Sequence, residues 1–200
     1  MKSLFDGLKV FIFMTLLLGI IYPYSILYIV NMTMPRRSAG SLIYIDNQLR
    51  GSKLIAQKFN QNIYFWPRPS SVDYNTLPAG GSHLGPISAR LAKQIQERRR
   101  KIAEQHQVND LSLIPDEMVC ASASGIDPHI SLTNAYFQLE RVAKARSWDS
   151  MEMKIKIKQL IYQNLDKPLG RLFGKPYVNV LKLNIALDNF SLSNPNKLHE

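Results

Sequence analysis

The longest uncharged stretch of the chain lies close to its N-terminus. Residues 10–30 form 21 consecutive positions without a charged side chain. A helix rises 1.5 Å per residue, so this run reaches about 32 Å, which matches the ~30 Å hydrocarbon core of a bilayer. Arg36 and Arg37 follow the run, and its tyrosines lie in the second half, as is typical of a membrane interface. The run predicts a transmembrane helix at residues 10–31, preceded by a cytoplasmic stub at residues 1–9.

Two other interpretations of the apolar run remain open. A cleaved signal peptide has an apolar core of ~7–15 residues followed by a small-residue cleavage site, and this run is longer. The run could also be a helix buried inside a soluble core. Basic residues flank both ends in similar numbers, so charge alone does not assign the side of the membrane. Residues 32–200 are enough to bury a core of their own, and we expect one extramembrane domain there.

Charge and reactive side chains exclude several kinds of site. The chain has 25 Lys+Arg against 15 Asp+Glu, a net charge of +10, which suits an acidic partner or anionic lipid headgroups. One cysteine excludes an internal disulfide and a cysteine-based zinc cluster, and the four histidines show no ligand spacing. No glycine-rich phosphate loop is present. We therefore expect the chain to have no metal and no cofactor of its own.

Periodicity after the apolar run mixes strand and helix patterns, which predicts a single α+β domain. Ser131 is expected to cap one of its helices, and Asp149, with Glu152 three residues on, is expected to cap the next. Alternation at 153–158 also fits a strand. In chain order the predicted elements are a hairpin at 41–50, a short strand or helix at 54–57, a helix from Ile87 to about 107, a strand at 119–128, helices at 132–146 and from 149, and a strand at 177–184.

A segment rich in proline and glycine separates the hairpin from the first long helix. Residues 64–86 also contain several aromatic side chains, which a solvated linker has no use for. Aromatic residues interleaved with proline and glycine favour an ordered loop packed on a surface. Exposed aromatic side chains on a rigid loop make good interface anchors, because little conformational entropy is lost on binding. We expect this loop to dock on a partner.

The residues are also compatible with two alternative functions. A membrane-anchored extracytoplasmic hydrolase would use Ser122, Asp127 and His129, while Ser82 and His83 are adjacent in sequence and point in different directions. A basic membrane-tethered binder of nucleic acid would use the cationic run at 97–101, but no recognition motif accompanies it. Such a charge run is more often a solvated helix face, so we expect no nucleic-acid partner.

Six short segments appear in order behind the apolar run. They are GSKLIAQ at 51–57, YFWPRPS at 64–70, GGS at 80–82, ASASGIDPHIS at 121–131, RVAKAR at 141–146 and GKPYVNVLKLN at 174–184. Together they resemble the KdpC family, the small single-span subunits of the bacterial high-affinity potassium-transporting P-type ATPases. The resemblance extends over nearly the whole chain.

The resemblance implies a non-catalytic accessory subunit of a bacterial inner-membrane potassium pump. Its partners would be a channel-like potassium-binding subunit, a P-type subunit that hydrolyses ATP, and a small single-span subunit, with membrane lipid around them. The family is described as needed for assembly, and as a catalytic chaperone that raises the ATP affinity of the hydrolysing subunit. The glutamine to which the resemblance assigns the catalytic-chaperone role corresponds to Gln138. In that role the subunit would share ATP with the hydrolysing subunit.

The resemblance also implies that the soluble domain lies outside the cytoplasm, in the periplasm, above the channel subunit. A domain placed there does not meet cytoplasmic ATP, which favours a structural role for the subunit. We expect the apolar helix to pack against partner spans and the aromatic loop to dock on the channel subunit. The predicted interface residues are Tyr64, Phe65, Trp66, Arg68, Gly80, Gly81, Ser82 and His83.

Overall fold

The computed structural model describes residues 2–168 and 174–193. Residues 169–173 and 194–200 of the predicted extramembrane domain lie outside the described part. The chain divides into two compact units, Met1–Arg50 and Gly51–Glu200. The combination of an apolar N-terminal helix, further helices and small antiparallel sheets confirms the predicted α+β class.

One long helix dominates the first unit. Helix α1 spans Lys2–Leu16, a π turn covers Leu17–Ile21, and α2 continues over Tyr22–Thr33. The combined helix Lys2–Thr33 is 32 residues long and apolar enough to cross a membrane, with none of its most apolar window buried inside the structure. Pro23 lies in the first turn of α2. The π turn just before it changes the hydrogen-bond register where the proline ring would otherwise clash.

A short helix and a hairpin follow the long helix. Helix α3 spans Pro35–Ser38, and strands β1, Leu42–Ile45, and β2, Gln48–Ser52, pair as a two-stranded sheet. Asp46 and Asn47 connect the strands with φ values of 50° and 58°. Positive φ at both central residues is the requirement of a type I′ turn, which Asx residues tolerate better than most. The predicted hairpin is confirmed.

The second unit contains the remaining helices and a three-stranded sheet. Its elements are α4 Ala89–His106, a 3₁₀ turn Leu111–Leu113, α5 Asp116–Val119, β3 His129–Ser131, α6 Leu132–Ala145, α7 Met151–Gln163, β4 Leu165–Asp166, β5 Tyr177–Asn179 and α8 Val180–Ser193. The strand order is β3-β5-β4, with β5 antiparallel to both neighbours. Val178 at the centre pairs with Ile130 on one side and Leu165 on the other.

Three helices and the sheet enclose the main core. Helix α6 packs on α7, α7 packs on α8, and both α6 and α8 contact the sheet. A second, smaller cluster joins α4 to α5 through Ile102, Met118 and Val119. Buried residues of the main core include Phe65, Ile130, Leu139, Val142, Ile157, Ile161, Val178, Leu183 and Leu187. Phe65 is therefore a core residue, although it belongs to the loop rather than to a helix or strand.

Serine side chains cap three helices of the second unit, α4, α6 and α7. The Ser131 hydroxyl accepts the backbone N–H of Asn134 at 3.1 Å, which confirms the predicted cap of α6. Helix α7 begins after Ser150, whose hydroxyl accepts the N–H of Met153 at 3.3 Å. The predicted Asp149 cap was wrong by one residue. Because Asp149 lies outside the helix start, its side chain is one step too far from the free N–H groups of the first turn.

Three predicted elements of the second unit differ from the structure. Strand β5 ends at Asn179, whose side-chain oxygen accepts the N–H of Lys182 at 3.1 Å and so begins α8. Residues 119–128 form the end of α5 and a loop rather than a strand. Residues 54–57 form neither strand nor helix, and one backbone hydrogen bond from Ala56 N–H to the Ile126 carbonyl (2.8 Å) fixes them. Both segments pair with loops distant in sequence, which alternation cannot reveal.

Candidate docking site

Residues 64–66, called here the aromatic segment, are held between helices α6 and α8. The Gln138 side chain on α6 accepts the N–H of Trp66 at 2.7 Å and donates to the Trp66 carbonyl at 3.0 Å. Asn184 on α8 does the same for Phe65, at 2.8 and 3.0 Å. Each side-chain amide pairs with both polar groups of one residue, as a neighbouring strand would. The segment thus gains two-sided backbone bonding without belonging to a sheet.

All the hydrogen-bond donors and acceptors of the Gln138 side chain are used within the protein. This side chain is wholly buried, and its amide nitrogen also donates to the Asn134 side-chain oxygen at 2.9 Å. Its amide oxygen also accepts from Nη2 of Arg141 at 2.9 Å. An amide offers two donors and accommodates two acceptor contacts, and all four are used within the chain.

Arg141 covers the other side of Trp66. Its guanidinium carbon lies 3.7 Å from the centre of the Trp66 ring, and its nitrogens donate to the carbonyls of Asn62 (2.6 Å) and Tyr64 (3.0 Å). Burial lowers the pKa of Arg141 to about 9, so the group stays charged at neutral pH. The cation therefore fixes both the ring and the backbone of the aromatic segment.

His106 at the end of α4 completes the cluster around Arg141. Its Nε2 accepts the Nε–H of Arg141 at 3.1 Å, and its Nδ1 lies 3.0 Å from the Ile102 carbonyl. These partners place the ring proton on Nδ1 and leave the imidazole neutral. Burial, and secondly the charge of Arg141, lower the pKa of His106 to about 4. Helix α4 is thereby joined to α6 through an uncharged histidine.

The start of the aromatic segment is anchored to α8. Arg146 donates from Nε to the Ile63 carbonyl at 2.8 Å and forms an ion pair with Asp188 at 2.7 Å. The Tyr64 hydroxyl donates to the same carboxylate at 3.1 Å. The carboxylate therefore joins the tyrosine and the arginine, and the backbone around residue 63 follows the geometry of α8.

The glycine turn at 80–82 is interlocked with the loop at 121–125. A Cβ added to Gly81 would lie 3.0 Å from the Ala123 carbonyl oxygen, and one added to Gly125 would lie 2.6 Å from the Gly80 carbonyl oxygen. Gly125 also has φ +71°, which disfavours other residues. The Ser71 hydroxyl donates to the Gly80 carbonyl at 2.7 Å. The two backbones approach too closely for side chains, so the long loop is ordered at both ends.

The predicted interface residues differ in accessibility. Tyr64, Trp66, Arg68, Gly80, Gly81 and Ser82 are half-buried, and His83 is exposed. Phe65 is wholly buried, so its side chain supports the surface from beneath rather than forming part of it. The loop presents Trp66 and His83 from different parts of its length.

Ser122, Asp127 and His129 do not form a hydrolytic triad in this structure. Nδ1 of His129 lies 3.2 Å from the Asp127 carboxylate, and this contact is the main reason that the pKa of Asp127 is lowered. The ring of His129 packs on Tyr177. Ser122 is buried and makes no hydrogen bond to His129 within the described residues. A serine nucleophile needs that contact for activation.

No group of three or more metal-ligating side chains is found among the described residues. The polar residues that do converge are those around the aromatic segment. Sequence reasoning identified Gln138 and the segment itself but missed Asn184, His106 and Asp188. One usable signal was present: Asn134, Gln138 and Arg141 recur at i, i+4 and i+7, so they share one face of α6 next to its apolar stripe.

Fold and site together define a class of protein: an α+β domain that follows, in the described part of the chain, one helix long and apolar enough to cross a membrane. The buried amides of Gln138 and Asn184 in this domain bind the backbone of the aromatic segment. The family described as KdpC, the K⁺-transporting ATPase c chain, matches residues 4–189. The chain therefore belongs to the KdpC family, which confirms the resemblance seen in the sequence.

Individual relatives agree with the family assignment. A potassium-transporting ATPase KdpC subunit of Photorhabdus laumondii is 43% identical and aligns over 89% of this chain and 91% of that protein. The subunit of the same name from Polynucleobacter asymbioticus is 39% identical over 94% and 99% of the two chains. That of Flavobacterium johnsoniae is 38% identical over 94% and 98%.

Proposed function

We propose that this chain is a non-catalytic accessory subunit of an ATP-driven potassium uptake complex in the bacterial inner membrane. Helix Lys2–Thr33 anchors it as a single span, and the domain lies on the outer, periplasmic side. Its partners are a channel-like potassium-binding subunit, an ATP-hydrolysing P-type subunit and a small single-span subunit. The names of the relatives support membership in such an ATPase, and the length of the apolar helix supports the anchor.

The observation that carries this proposal is the saturation of Gln138. A residue that assisted nucleotide binding would need a free donor or acceptor, and its amide has none. The same amide fixes the backbone of Trp66, which belongs to the predicted docking loop. We therefore assign Gln138 to the shape of the docking surface, and any effect on ATP affinity acts through assembly of the complex.

Substitution of Gln138 tests this assignment. Gln138→Ala leaves the N–H and carbonyl of Trp66 without partners in a partly buried site, at a cost of ~2–4 kcal/mol. We expect less assembled complex in detergent, while the assembled fraction keeps its KM for ATP. Gln163→Ala, at the exposed end of α7, is the matched control and should assemble as the wild type. A raised KM for ATP with normal assembly would contradict the proposal and favour a nucleotide role.

Protease protection tests the sidedness. Sealed right-side-out and inside-out vesicles containing the complex are treated with a protease, and the C-terminal domain is followed by a tag after residue 200. An outer domain is degraded only in right-side-out vesicles. Degradation only in inside-out vesicles would reverse the assigned orientation and would restore a direct contact with cytoplasmic ATP.

A further inference from the structure

A groove opens between the aromatic segment and one face of α4. Its volume is about 340 Å³. Trp66, Pro67, Tyr74 and Met118 are among the apolar and aromatic residues that line it. That volume lies at the lower end of the range seen for ligand pockets. The groove therefore has room for one or two side chains of a partner.

The groove carries positive charge without a matching carboxylate. Arg98 and Lys101 line it, and none of its described lining residues is acidic. Arg98 donates to the Val119 carbonyl at 2.9 Å, which leaves its charge unneutralised. Lys101 is exposed and forms neither a hydrogen bond nor an ion pair with the described residues. The two cations lie three residues apart on α4, which is about one helical turn. Both therefore face the same opening.

The walls of the groove are already fixed. The Trp66 indole N–H donates to the Gln61 carbonyl at 2.9 Å, and the Tyr74 hydroxyl donates to the Arg68 carbonyl at 3.0 Å. Burial raises the pKa of Tyr74 to about 12, so this wall stays uncharged. The polar groups of both rings are satisfied within the chain, and only the part of the Trp66 ring that Arg141 does not cover can meet a ligand. A ligand would lose little affinity to ordering of the site.

We propose that this groove binds an extended acidic segment of another subunit of the same complex. One apolar side chain of that segment enters between Trp66 and Met118, and a neighbouring carboxylate pairs with Lys101. The proposal rests on the proposed function, and it names the chemistry of the partner. A bilayer surface fits less well, because a concave groove of this size accepts a side chain but excludes a flat array of headgroups.

Photo-crosslinking in the intact complex tests the occupant. Gln105 lines the groove on α4, and Gln96 is exposed on the same helix outside it. Each is replaced in turn by a photoreactive benzoylphenylalanine, and the products are identified by mass spectrometry. We expect Gln105, but not Gln96, to give an adduct with an acidic segment of another subunit. An adduct with lipid, with this chain's own C-terminal residues or with a non-acidic segment, or none at all, would overturn the proposal.

Charge reversal tests the energetic part of the same proposal. Lys101→Glu should make the subunit dissociate from the complex about three- to tenfold faster, with a smaller salt dependence than the wild type. Lys93→Glu, an exposed change on the same helix away from the groove, should leave the rate unchanged. Equal rates for both variants would refute a carboxylate at Lys101.

Co-purification separates the accessory function from binding of an acidic segment in the groove. If the wild-type chain did not co-purify with any other subunit, the proposed accessory function would fail. If it co-purified normally while Gln105 gave no acidic adduct, only the groove proposal would fail.

Discussion

Nε2 of His106 accepts a hydrogen bond from Nε of Arg141 at 3.1 Å, so a buried cation is held by a histidine that must stay neutral. Protonation of this imidazole would place two positive charges in contact and remove the acceptor. The arrangement connects α4 to α6 and thereby sets the position of Trp66, over which Arg141 lies. The position of Trp66 therefore depends on a histidine that has to stay uncharged.

This relationship predicts a specific pH dependence of stability. The pKa of His106 is lowered from its ordinary 6.5 to about 4 in the folded chain, so below pH 6.5 the unfolded chain binds a proton that the folded chain does not. The unfolding free energy should fall as the pH drops from about 6.5 to about 4, by ~2–3 kcal/mol from this group. Above pH 6.5 the histidine should contribute no slope.

The His106→Gln variant checks the assignment, because a glutamine can accept from Arg141 but does not titrate. Chemical denaturation of the full-length chain in detergent would be measured from pH 4 to pH 8 for both proteins. The difference between the two curves should change between pH 6.5 and 4 and be constant above. Parallel curves over the whole range would show that His106 does not couple to folding.

The hydrogen bonds of Asn184 to Phe65 predict how much stability the chain loses when one of the two amides that bind the aromatic segment is removed. Asn184→Ala leaves the buried N–H and carbonyl of Phe65 without partners, so the full chain should lose ~2–4 kcal/mol of unfolding free energy. Asn109→Ala, at an exposed position after α4, should change it by less than ~0.5 kcal/mol. A loss of stability no greater than that of the control would mean that the segment is held by its side-chain packing alone.

The close contact between Gly125 and Gly80 predicts that a side chain at residue 125 would disorder the long loop. A methyl group at this position would meet the Gly80 carbonyl oxygen at 2.6 Å, at a φ that favours glycine. Gly125→Ala should therefore separate the two loops and make residues 70–88 sensitive to limited proteolysis, with a loss of about 1–3 kcal/mol. Gly85→Ala is the control, since an added Cβ meets nothing within 4 Å there. Equal protease resistance of both variants would contradict the interlock.

The start of α7 predicts unequal effects at adjacent residues. Ser150→Ala removes the hydroxyl that accepts the Met153 N–H and should cost ~1 kcal/mol. Asp149→Ala removes no capping hydrogen bond and should have a clearly smaller effect. Thermal unfolding of the two variants under the same conditions gives the comparison, and a reversed order would restore Asp149 as the cap.

Several features could be predicted from the sequence because they are local. The 21-residue uncharged run, the Asp46-Asn47 turn and the Ser131 cap each depend on neighbours a few residues away, and the structure follows them. The start of the Val180–Ser193 helix was predicted as a strand, because apolar residues at 178 and 180, and again at 181 and 183, recur at the spacing of two that is typical of a strand. Asn179 decides between strand and helix only because its side chain caps the following turn.

By itself the sequence determined an apolar N-terminal helix long enough to cross a membrane, an α+β domain and membership in a family of potassium-ATPase subunits. Only the tertiary structure decided the role of the polar residues. Gln138 and Asn184 lie 46 positions apart in the chain. They form hydrogen bonds with the adjacent residues Trp66 and Phe65, which lie more than 70 positions earlier. Neither periodicity nor spacing encodes such pairs, because hydrogen bonds between distant segments exist only after the helices have packed.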